Sequence, residues 1–199
     1  MNRRALLISG AFSGWWMFAK AAEPEPVLGG PCEGCEWVFD SMPAQLSSTA
    51  RIAPVNEPGT PLVIEGVVRS GDGKPAPGII VYAYHTDDTG IYPRAQNRHG
   101  RLRGWARTDA EGRYRFDTIR PRAYPGRKIP EHVHMHVIEP GKGTYYLDEL
   151  RFTDDPLIAD ANRATDERGG KGLARPERAE TGWRVRRDIV LGRNIPGYR

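Results

Sequence analysis

From Pro61 onward, short runs of β-branched and aromatic residues alternate with turns that are rich in Gly, Pro and Asp. Runs of this length between such turns are typical of strands, and several at regular spacing are typical of a sandwich. Because helical periodicity is weak along the same stretch, the pattern predicts an all-β fold, an antiparallel β-sandwich with long loops. The predicted strands lie within PLVIEGVVRS, IIVYAYHT, the two halves of RGWARTDAEGRYRFDTI, HVHMHVIE and WRVRRDIVL.

These strands assign residues 59–199 to one β-sandwich domain, which residues 22–58 precede as an N-terminal segment. A domain of this size can bury a substantial core. Residues 154–182 are too polar and Gly-rich for a core element. They are predicted to form a long surface loop, which in a compact domain is either functional or mobile.

The first residues have the layout of an export signal: a basic start at Arg3 and Arg4, a short apolar run, and A-K-A ending at Ala21. This order predicts a signal peptide over residues 1–21 and a mature protein that is periplasmic or extracellular. The arginine pair loosely matches a twin-arginine signal, with an ordinary secretory signal or an uncleaved anchor as alternatives. The apolar run is shorter than the roughly 20 residues of a spanning helix, so no stable membrane span is expected after cleavage.

Cleavage of the predicted signal peptide would change the net charge of the chain. Three cations of the signal peptide contribute to the formal net charge of +4, and their removal leaves +1 on the mature chain. The sequence also has no stripe of Lys and Arg with interleaved aromatics, so nucleic acid is not an expected partner.

Cys32 and Cys35 lie together in PCEGCEW, just after the predicted cleavage site. In an oxidising compartment this spacing favours a disulfide that closes a short loop. A thioredoxin-type redox role is disfavoured because no βαβ pattern surrounds the pair. Two thiols alone are too few for a closed zinc site.

Three histidines, His132, His134 and His136, occupy every second position of the stretch PEHVHMHV. On a strand they project from one face, with neighbours about 6.6 to 7 Å apart and the outer pair roughly 13 Å apart. One metal ion is therefore expected to take His132 with His134, or His134 with His136, and the spacing leaves both pairs open. The alternative is three histidines on a solvated or partly buried strand face.

Two histidines leave a metal ion under-coordinated, so other segments have to supply ligands. His85 and His99 have no ligand spacing to any other residue. A tyrosine recurs after a turn, as Tyr92 in DDTGIYP and Tyr124 in IRPRAYPG, although each alone is also compatible with sheet packing. Phenolate is a hard anionic ligand that suits ferric iron better than zinc or calcium.

Three segments, in this order, resemble the intradiol ring-cleavage dioxygenases, a family of non-haem iron enzymes that includes the catechol and protocatechuate dioxygenases. They are DGKPAPGIIVYAYHTDDTGIY, TDAEGRYRFDTIRPRAYP and PEHVHMHV, with a weaker echo in RRDIVL. The resemblance implies a β-sandwich that binds Fe(III) through Tyr92, Tyr124, His132 and His134. It leaves His136 a supporting or packing role.

The resemblance also implies a reaction. A small catechol-type aromatic diol and O2 are the expected partners, and the ring opens between the two hydroxyl-bearing carbons to give a muconate-type dicarboxylate. Tyr124 is the ligand that the substrate is expected to displace, and it accepts a substrate proton as it leaves. The alternative is a degenerate metal-binding β-sandwich that does not turn catechols over.

Two positions depart from the family pattern. An arginine normally stands three residues before the first histidine, where this chain has Ile129, and Arg127 is the candidate replacement. A glutamine near the site aligns loosely with Glu149. Loss of the guanidinium removes a positive charge that would stabilise developing carbanion character.

Arg103 and Trp105, in GRLRGWARTD, are further candidate substrate contacts together with Ile129. They would form a ring-stacking and anion-pairing wall if the substrate carries a carboxylate. A solvated strand with one packed tryptophan is the alternative. A homo-oligomer is compatible with the sequence.

Overall fold

The computed structural model describes residues 26–30, 32, 34–158 and 166–199, and the predicted signal peptide lies outside them. Within these ranges the chain forms twelve strands and two short 3-10 helical turns, Cys35–Trp37 and Pro156–Ile158. The strands are β1 Thr49–Arg51, β2 Pro61–Arg69, β3 Ile80–Tyr84, β4 Arg103–Arg107, β5 Arg113–Ile119, β6 His132–Glu139, β7 Gly143–Tyr146, β8 Leu150–Phe152, β9 Leu173–Ala174, β10 Glu177–Ala179, β11 Gly182–Arg186 and β12 Ile189–Val190. None of the described helices is long and apolar enough to cross a membrane.

The strands form two six-stranded sheets. The first has the order β1-β5-β2-β11-β10, with β12 also paired to β2, and the second has the order β4-β3-β6-β8-β9, with β7 paired to β6. The antiparallel pairing of β3 with β6 places Tyr84 opposite His134 and Tyr82 opposite His136. The second sheet therefore carries the histidine stretch at its centre.

The core lies between the two sheets. Strand β2 alternates buried and partly buried residues, which is the pattern of a strand with one face in the interior. The buried residues that the central strands of both sheets contribute are Leu62, Ile64, Val68, Val81, Ala83, Tyr114, Phe116, Val133, Met135 and Val137. The prediction of an all-β sandwich is confirmed.

The sheets are mixed, whereas the sequence pattern predicted antiparallel pairing throughout. The central pairs β2–β5 and β3–β6 are antiparallel, but β1–β5, β2–β11, β2–β12 and β8–β9 are parallel. Parallel partners need a long connection between them, and each of these pairs is separated by such a stretch of chain. Side chains alternate between the two faces of a strand in parallel and antiparallel sheets alike. The alternation in the sequence therefore cannot reveal the direction of the neighbouring strand.

The predicted strand WRVRRDIVL is divided into β11 and β12 at Arg187 and Asp188. The Asp188 carboxylate, rather than a backbone carbonyl, accepts the Val67 N–H at 2.9 Å. The buried Arg187 guanidinium donates to the backbone carbonyls of Arg168 and Asp188, at 3.2 and 3.1 Å. At this point side-chain hydrogen bonds take the place of backbone pairing between strands, so the strand is interrupted.

Residues 154–182 are not wholly a loop. They include β9, which pairs with β8, and β10, which pairs with β11, each at the edge of its sheet. The residues of both strands are exposed or only partly buried. Edge strands of this kind are held by backbone bonds, so their polar composition did not reveal them.

The outer face of the second sheet is covered by the N-terminal segment. Tyr82, Tyr84 and Trp105 form a second buried cluster there with Val38. The indole Nε1 of Trp105 donates to the Val38 carbonyl at 2.8 Å. The histidines of β6 project toward this covered face, because the residues between them fill the main core.

Candidate metal centre

Four donor atoms from three segments meet at the beginning of β6. The hydroxyl oxygens of Tyr92 and Tyr124 lie 2.6 Å apart. The Tyr124 hydroxyl lies 3.2 Å from Nε2 of His132, which in turn lies 3.2 Å from Nε2 of His134. The loop after β3 carries Tyr92, and the loop between β5 and β6 carries Tyr124. The structure thus brings together the four residues that the sequence singled out as ligands.

Hydrogen bonds on the far side of each imidazole orient the two histidines. Nδ1 of His132 lies 2.7 Å from the carbonyl oxygen of Pro130, to which it can only donate. Nδ1 of His134 lies 3.0 Å from the hydroxyl of Tyr146. A proton on each Nδ1 leaves each Nε2 lone pair directed at the shared point, which is the arrangement of metal-binding histidines.

Burial and neighbouring histidines, His132 first among them, hold the pKa of His134 well below its usual value, so the imidazole is neutral. Burial also raises the pKa of the Tyr92 phenol, and the hydrogen bond with Tyr124 adds to this effect. A buried phenol ionises only when a cation compensates its charge. Two phenols and two imidazoles are a donor set that fits Fe(III), whose charge would draw off the phenolic protons.

Glu149 lies beside these donors. Its Oε1 accepts a hydrogen bond from Tyr146 at 3.1 Å and lies 3.5 Å from Nδ1 of His134. One donor atom from each of His132, His134 and Glu149 lies within 4.8 Å of the others. The loose alignment that placed Glu149 at the site therefore agrees with its position in the structure.

The remaining histidines stand apart from this donor set. His136 is fully buried, burial lowers its pKa to about 3, and its Nδ1 lies 3.7 Å from Sγ of Cys35. His85 is held in the interior by the Thr86 carbonyl and the Thr118 hydroxyl, both at 2.7 Å. His99 Nδ1 lies 2.8 Å from the Tyr82 hydroxyl. The expected packing role of His136 is consistent with this position.

A cavity of about 540 Å³ opens beside the four donors. Its aromatic wall includes Tyr84, whose ring stacks on His134 with centroids 4.6 Å apart. The N-terminal segment forms the opposite part of the lining, with Cys32 joined to Cys35 by a disulfide whose Cα atoms are 5.5 Å apart. The residues that line the cavity are Leu28, Gly29, Gly30, Cys32, Gly34, Tyr84, Tyr92, Arg98, His99, Tyr124, His134, Tyr146, Glu149 and Arg168.

Arg103 and Trp105 do not reach this lining, so the predicted substrate wall is corrected. Arg103 forms an ion pair with Asp40 at 3.1 Å, and Trp105 bonds to the backbone of Val38. Both side chains hold the N-terminal segment against the outer face of the sheet. The sequence pattern suggested an open strand face because it carried no sign of that cover.

Arg127 and Ile129 also lie away from the cavity lining. Both are exposed on the loop before β6, and the Arg127 N–H donates to the Tyr124 carbonyl at 3.2 Å within a turn. The cations that do line the cavity, among the described residues, are Arg98 and Arg168. Sequence reasoning missed both as site residues, although Arg98 directly precedes His99 and Arg168 belongs to the polar stretch that was expected to be functional or mobile.

A family model described as Dioxygenase matches residues 33–191, which is most of the chain. The chain is 32% identical over 113 residues to the protocatechuate 3,4-dioxygenase beta chain of Burkholderia cepacia, covering 51% of this chain and 48% of that protein. It is 31% identical over 148 residues to catechol 1,2-dioxygenase 1 of Acinetobacter lwoffii, covering 59% and 47%. The chain belongs to the intradiol dioxygenase family.

This family member spans about half the length of the curated relatives that it matches. Its fold is also similar to the dioxygenase domain of a dioxygenase carbohydrate-binding protein fusion from Streptomyces sp. SirexAA-E. That likeness has a TM-score of 0.62 at 25% identity and covers 85% of this chain and 98% of that domain. The two-sheet architecture is thus shared with that dioxygenase domain.

Proposed function

We propose that the chain is an exported intradiol dioxygenase that uses non-haem Fe(III) and O2 to open a catechol-type aromatic diol to a muconate-type dicarboxylate. The observation that carries the proposal is the convergence of the Tyr92 and Tyr124 hydroxyls with Nε2 of His132 and His134, in steps of 2.6 to 3.2 Å. The names of the relatives, catechol 1,2-dioxygenase and protocatechuate 3,4-dioxygenase, support the same reaction class.

Tyr92, Tyr124, His132 and His134 would hold the iron, which supplies the Lewis acidity that activates the diol toward O2. The chain's own residues orient the diol, exclude water and handle its protons. Tyr124 is the residue proposed for the proton transfer, and its loop continues into an exposed turn at Pro125 and Gly126. When its oxygen turns away from the other donors, it can accept a proton from a substrate hydroxyl.

The contacts around His134 restrain the rest of the site. Tyr146 bonds to Nδ1 of His134 and donates to Glu149, so the imidazole is held through two successive hydrogen bonds. Glu149 also lines the cavity. An ionised carboxylate only accepts hydrogen bonds, so this position favours a substrate with a hydroxyl to donate.

The cavity suits a small aromatic ring. Its volume of about 540 Å³ lies within the range usual for small-molecule sites. Arg98 and Arg168 bring positive charge to a lining that Ile129 and Arg127 do not reach. These two cations favour a diol with an anionic substituent.

Export forms part of the proposal. The Cys32–Cys35 disulfide supports it, because disulfides persist in oxidising compartments such as the periplasm and the cell exterior. Cleavage after Ala21 would leave this segment as the beginning of the mature protein.

Oxygen uptake by iron-loaded protein with a panel of catechols tests the function. The purified protein should show visible absorption from phenolate-to-Fe(III) charge transfer, consume O2 with at least one catechol, and incorporate both atoms of labelled O2 into a dicarboxylate. A colourless protein that binds zinc in place of iron would contradict the proposal.

A second candidate function is a metal-binding module without catechol turnover. The position of Ile129, exposed and outside the cavity lining, favours it, because no cation replaces the family's arginine at that point of the chain. A coloured iron protein that consumes no O2 with any catechol would establish this alternative.

A further inference from the structure

Three sulfur and nitrogen donors lie together on the far side of the candidate iron centre. The Cys32 and Cys35 sulfurs and one ring nitrogen of His136 all lie within 4.8 Å of one another. His136 is fully buried, and its Nδ1 is directed at Sγ of Cys35 at 3.7 Å. The sequence alone offered two thiols, and the fold adds a third donor from a strand 101 residues away.

A fourth donor faces the same place. His99 is almost fully buried, and its Nε2 has no hydrogen-bond partner among the described residues. Gly34, in a left-handed conformation with φ of 85°, lies between the two cysteines, and a β-carbon there would collide with that Nε2. The glycine therefore lets the His99 ring approach the turn that carries the sulfurs.

We propose that Cys32, Cys35 and His136 form a Zn²⁺ site when their disulfide is reduced, with His99 on its open side. Two cysteines spaced C-x-x-C together with histidine nitrogen are a common zinc donor set. Tetrahedral zinc with Zn–S bonds of about 2.3 Å places two thiolates roughly 3.8 Å apart. The two sulfurs, now joined in a disulfide, separate when it opens, and a ring nitrogen of His136 already lies within 4.8 Å of both.

This site is separate from the candidate iron centre. The ring of Tyr84 stacks on His99 at 3.8 Å and on His134 at 4.6 Å, so it lies between the two sets of donors. Thiolate is a soft ligand and phenolate a hard one, so the two sites select different ions. The inference does not rest on the proposed dioxygenase function.

The redox step needs a dithiol reductant. Two electrons and two protons pass from that dithiol to the Cys32–Cys35 bond, which opens to two thiols while the reductant closes to its own disulfide. Zn²⁺ then binds the thiolates, and the two thiol protons are released to solvent. Cys32 lines the cavity, which gives the reductant and the ion a path of entry.

Cobalt titration of the iron-loaded protein tests the site, because Co²⁺ replaces Zn²⁺ and reports sulfur ligands by thiolate charge-transfer absorption. The protein is reduced with dithiothreitol, freed of it without oxygen, and titrated with Co²⁺ beside an unreduced sample. Reduced protein should bind one equivalent with a thiolate band that Zn²⁺ removes, and unreduced protein should show no such band. Absence of the band after reduction would overturn the proposal.

Matched variants assign the ligands. His136→Gln should weaken cobalt binding by more than the roughly 10- to 100-fold that loss of an outer hydrogen-bond partner causes. Cys32→Ser is the second variant, which serves if His136→Gln does not fold, and it should weaken the thiolate band. His132→Gln on the same strand is the control, since it should lose iron and keep the thiolate band. Undiminished cobalt affinity in both His136→Gln and Cys32→Ser would show that other donors bind the ion and would refute the assignment.

Discussion

The hydroxyl of Tyr92 lies 2.6 Å from the hydroxyl of Tyr124, across 32 residues of sequence, in a site where burial disfavours ionisation of the Tyr92 phenol. Without a cation, the pair can share only a neutral hydrogen bond. A trivalent ion would replace that bond, because both oxygens could then ionise.

Replacement of Tyr92 by Phe removes one of the two phenolates. We expect the visible charge-transfer absorption to weaken and iron affinity to fall at least 10-fold, as for other losses around a metal. Iron titration followed by absorbance measures both. Tyr145→Phe is the control, since Tyr145 is buried in the core away from the donors; equal iron affinity in the wild type and Tyr92→Phe would remove Tyr92 from the ligand set.

The three histidines of β6 should differ in their effect on iron. His132→Ala and His134→Ala each delete a converging nitrogen and should abolish iron binding. His136→Ala should leave the iron in place, because its ring faces Cys35. Metal analysis of the purified variants checks this order. Loss of iron from His136→Ala with retention in His132→Ala would mean that the ligand pair is His134 with His136.

His85 should make stability depend on pH. Burial lowers its pKa to about 4 from the usual 6.5, so between these values the unfolded chain binds a proton that the folded chain does not. Its contribution is therefore complete above about pH 6.5 and is lost as pH falls toward 4. At 1.36 kcal/mol per pKa unit, the loss is about 3 kcal/mol.

The measurement is thermal unfolding of wild type and His85→Gln between pH 7 and pH 4. Glutamine can keep the bonds to Thr86 and Thr118 without titrating. The wild type should lose more stability on acidification than the variant does. Parallel curves would mean that His85 is not held neutral by the fold.

Trp105→Phe should destabilise the fold without changing substrate recognition. The variant loses the bond from Nε1 to the Val38 carbonyl and leaves a buried acceptor without its partner, which costs about 1 to 3 kcal/mol. Denaturant unfolding measures the loss, and KM for the best catechol should stay within about twofold of the wild type. A large rise in KM at unchanged stability would show that Trp105 contacts the substrate.

Arg98→Gln should discriminate between substrates. If Arg98 pairs with an anionic substituent, KM should rise about 10-fold for a carboxylated catechol, as for loss of one charge-assisted bond, and little for catechol itself. Arg94→Gln is the matched control, because Arg94 lies exposed in the same loop outside the cavity lining. Equal changes for both substrates would place the anion elsewhere.

Local patterns predicted the centre of the fold well. HVHMHVIE coincides with β6, His132–Glu139, because alternation within one strand is a property of adjacent residues. The interruption at Arg187 and Asp188 was not predictable, since it depends on bonds to Val67 and to carbonyls of a distant loop. The same holds for the edge strands β9 and β10, which are held by backbone pairing.

In the candidate site, too, some residues were predictable from the sequence and others were not. The four proposed ligands could be named because the resemblance preserves their order along the chain. The assignment of Arg103 and Trp105 to a substrate wall was wrong because the segment around Val38 covers that strand face. Arg168 and the contact of Cys35 with His136 emerged only when segments more than 100 residues apart were brought together by the fold.

The cover that the N-terminal segment places over the second sheet has a practical consequence for anyone who trims or tags this protein. The described residues before Thr49 belong to none of the named strands, yet the Leu28 N–H donates to the Thr144 carbonyl and neighbouring residues wall the cavity. A version cut back to Thr49 would uncover the buried cluster that Val38 completes, remove part of the cavity wall and expose the ligands to bulk water. An intact N-terminus is therefore a requirement both for a stable second sheet and for an enclosed substrate cavity.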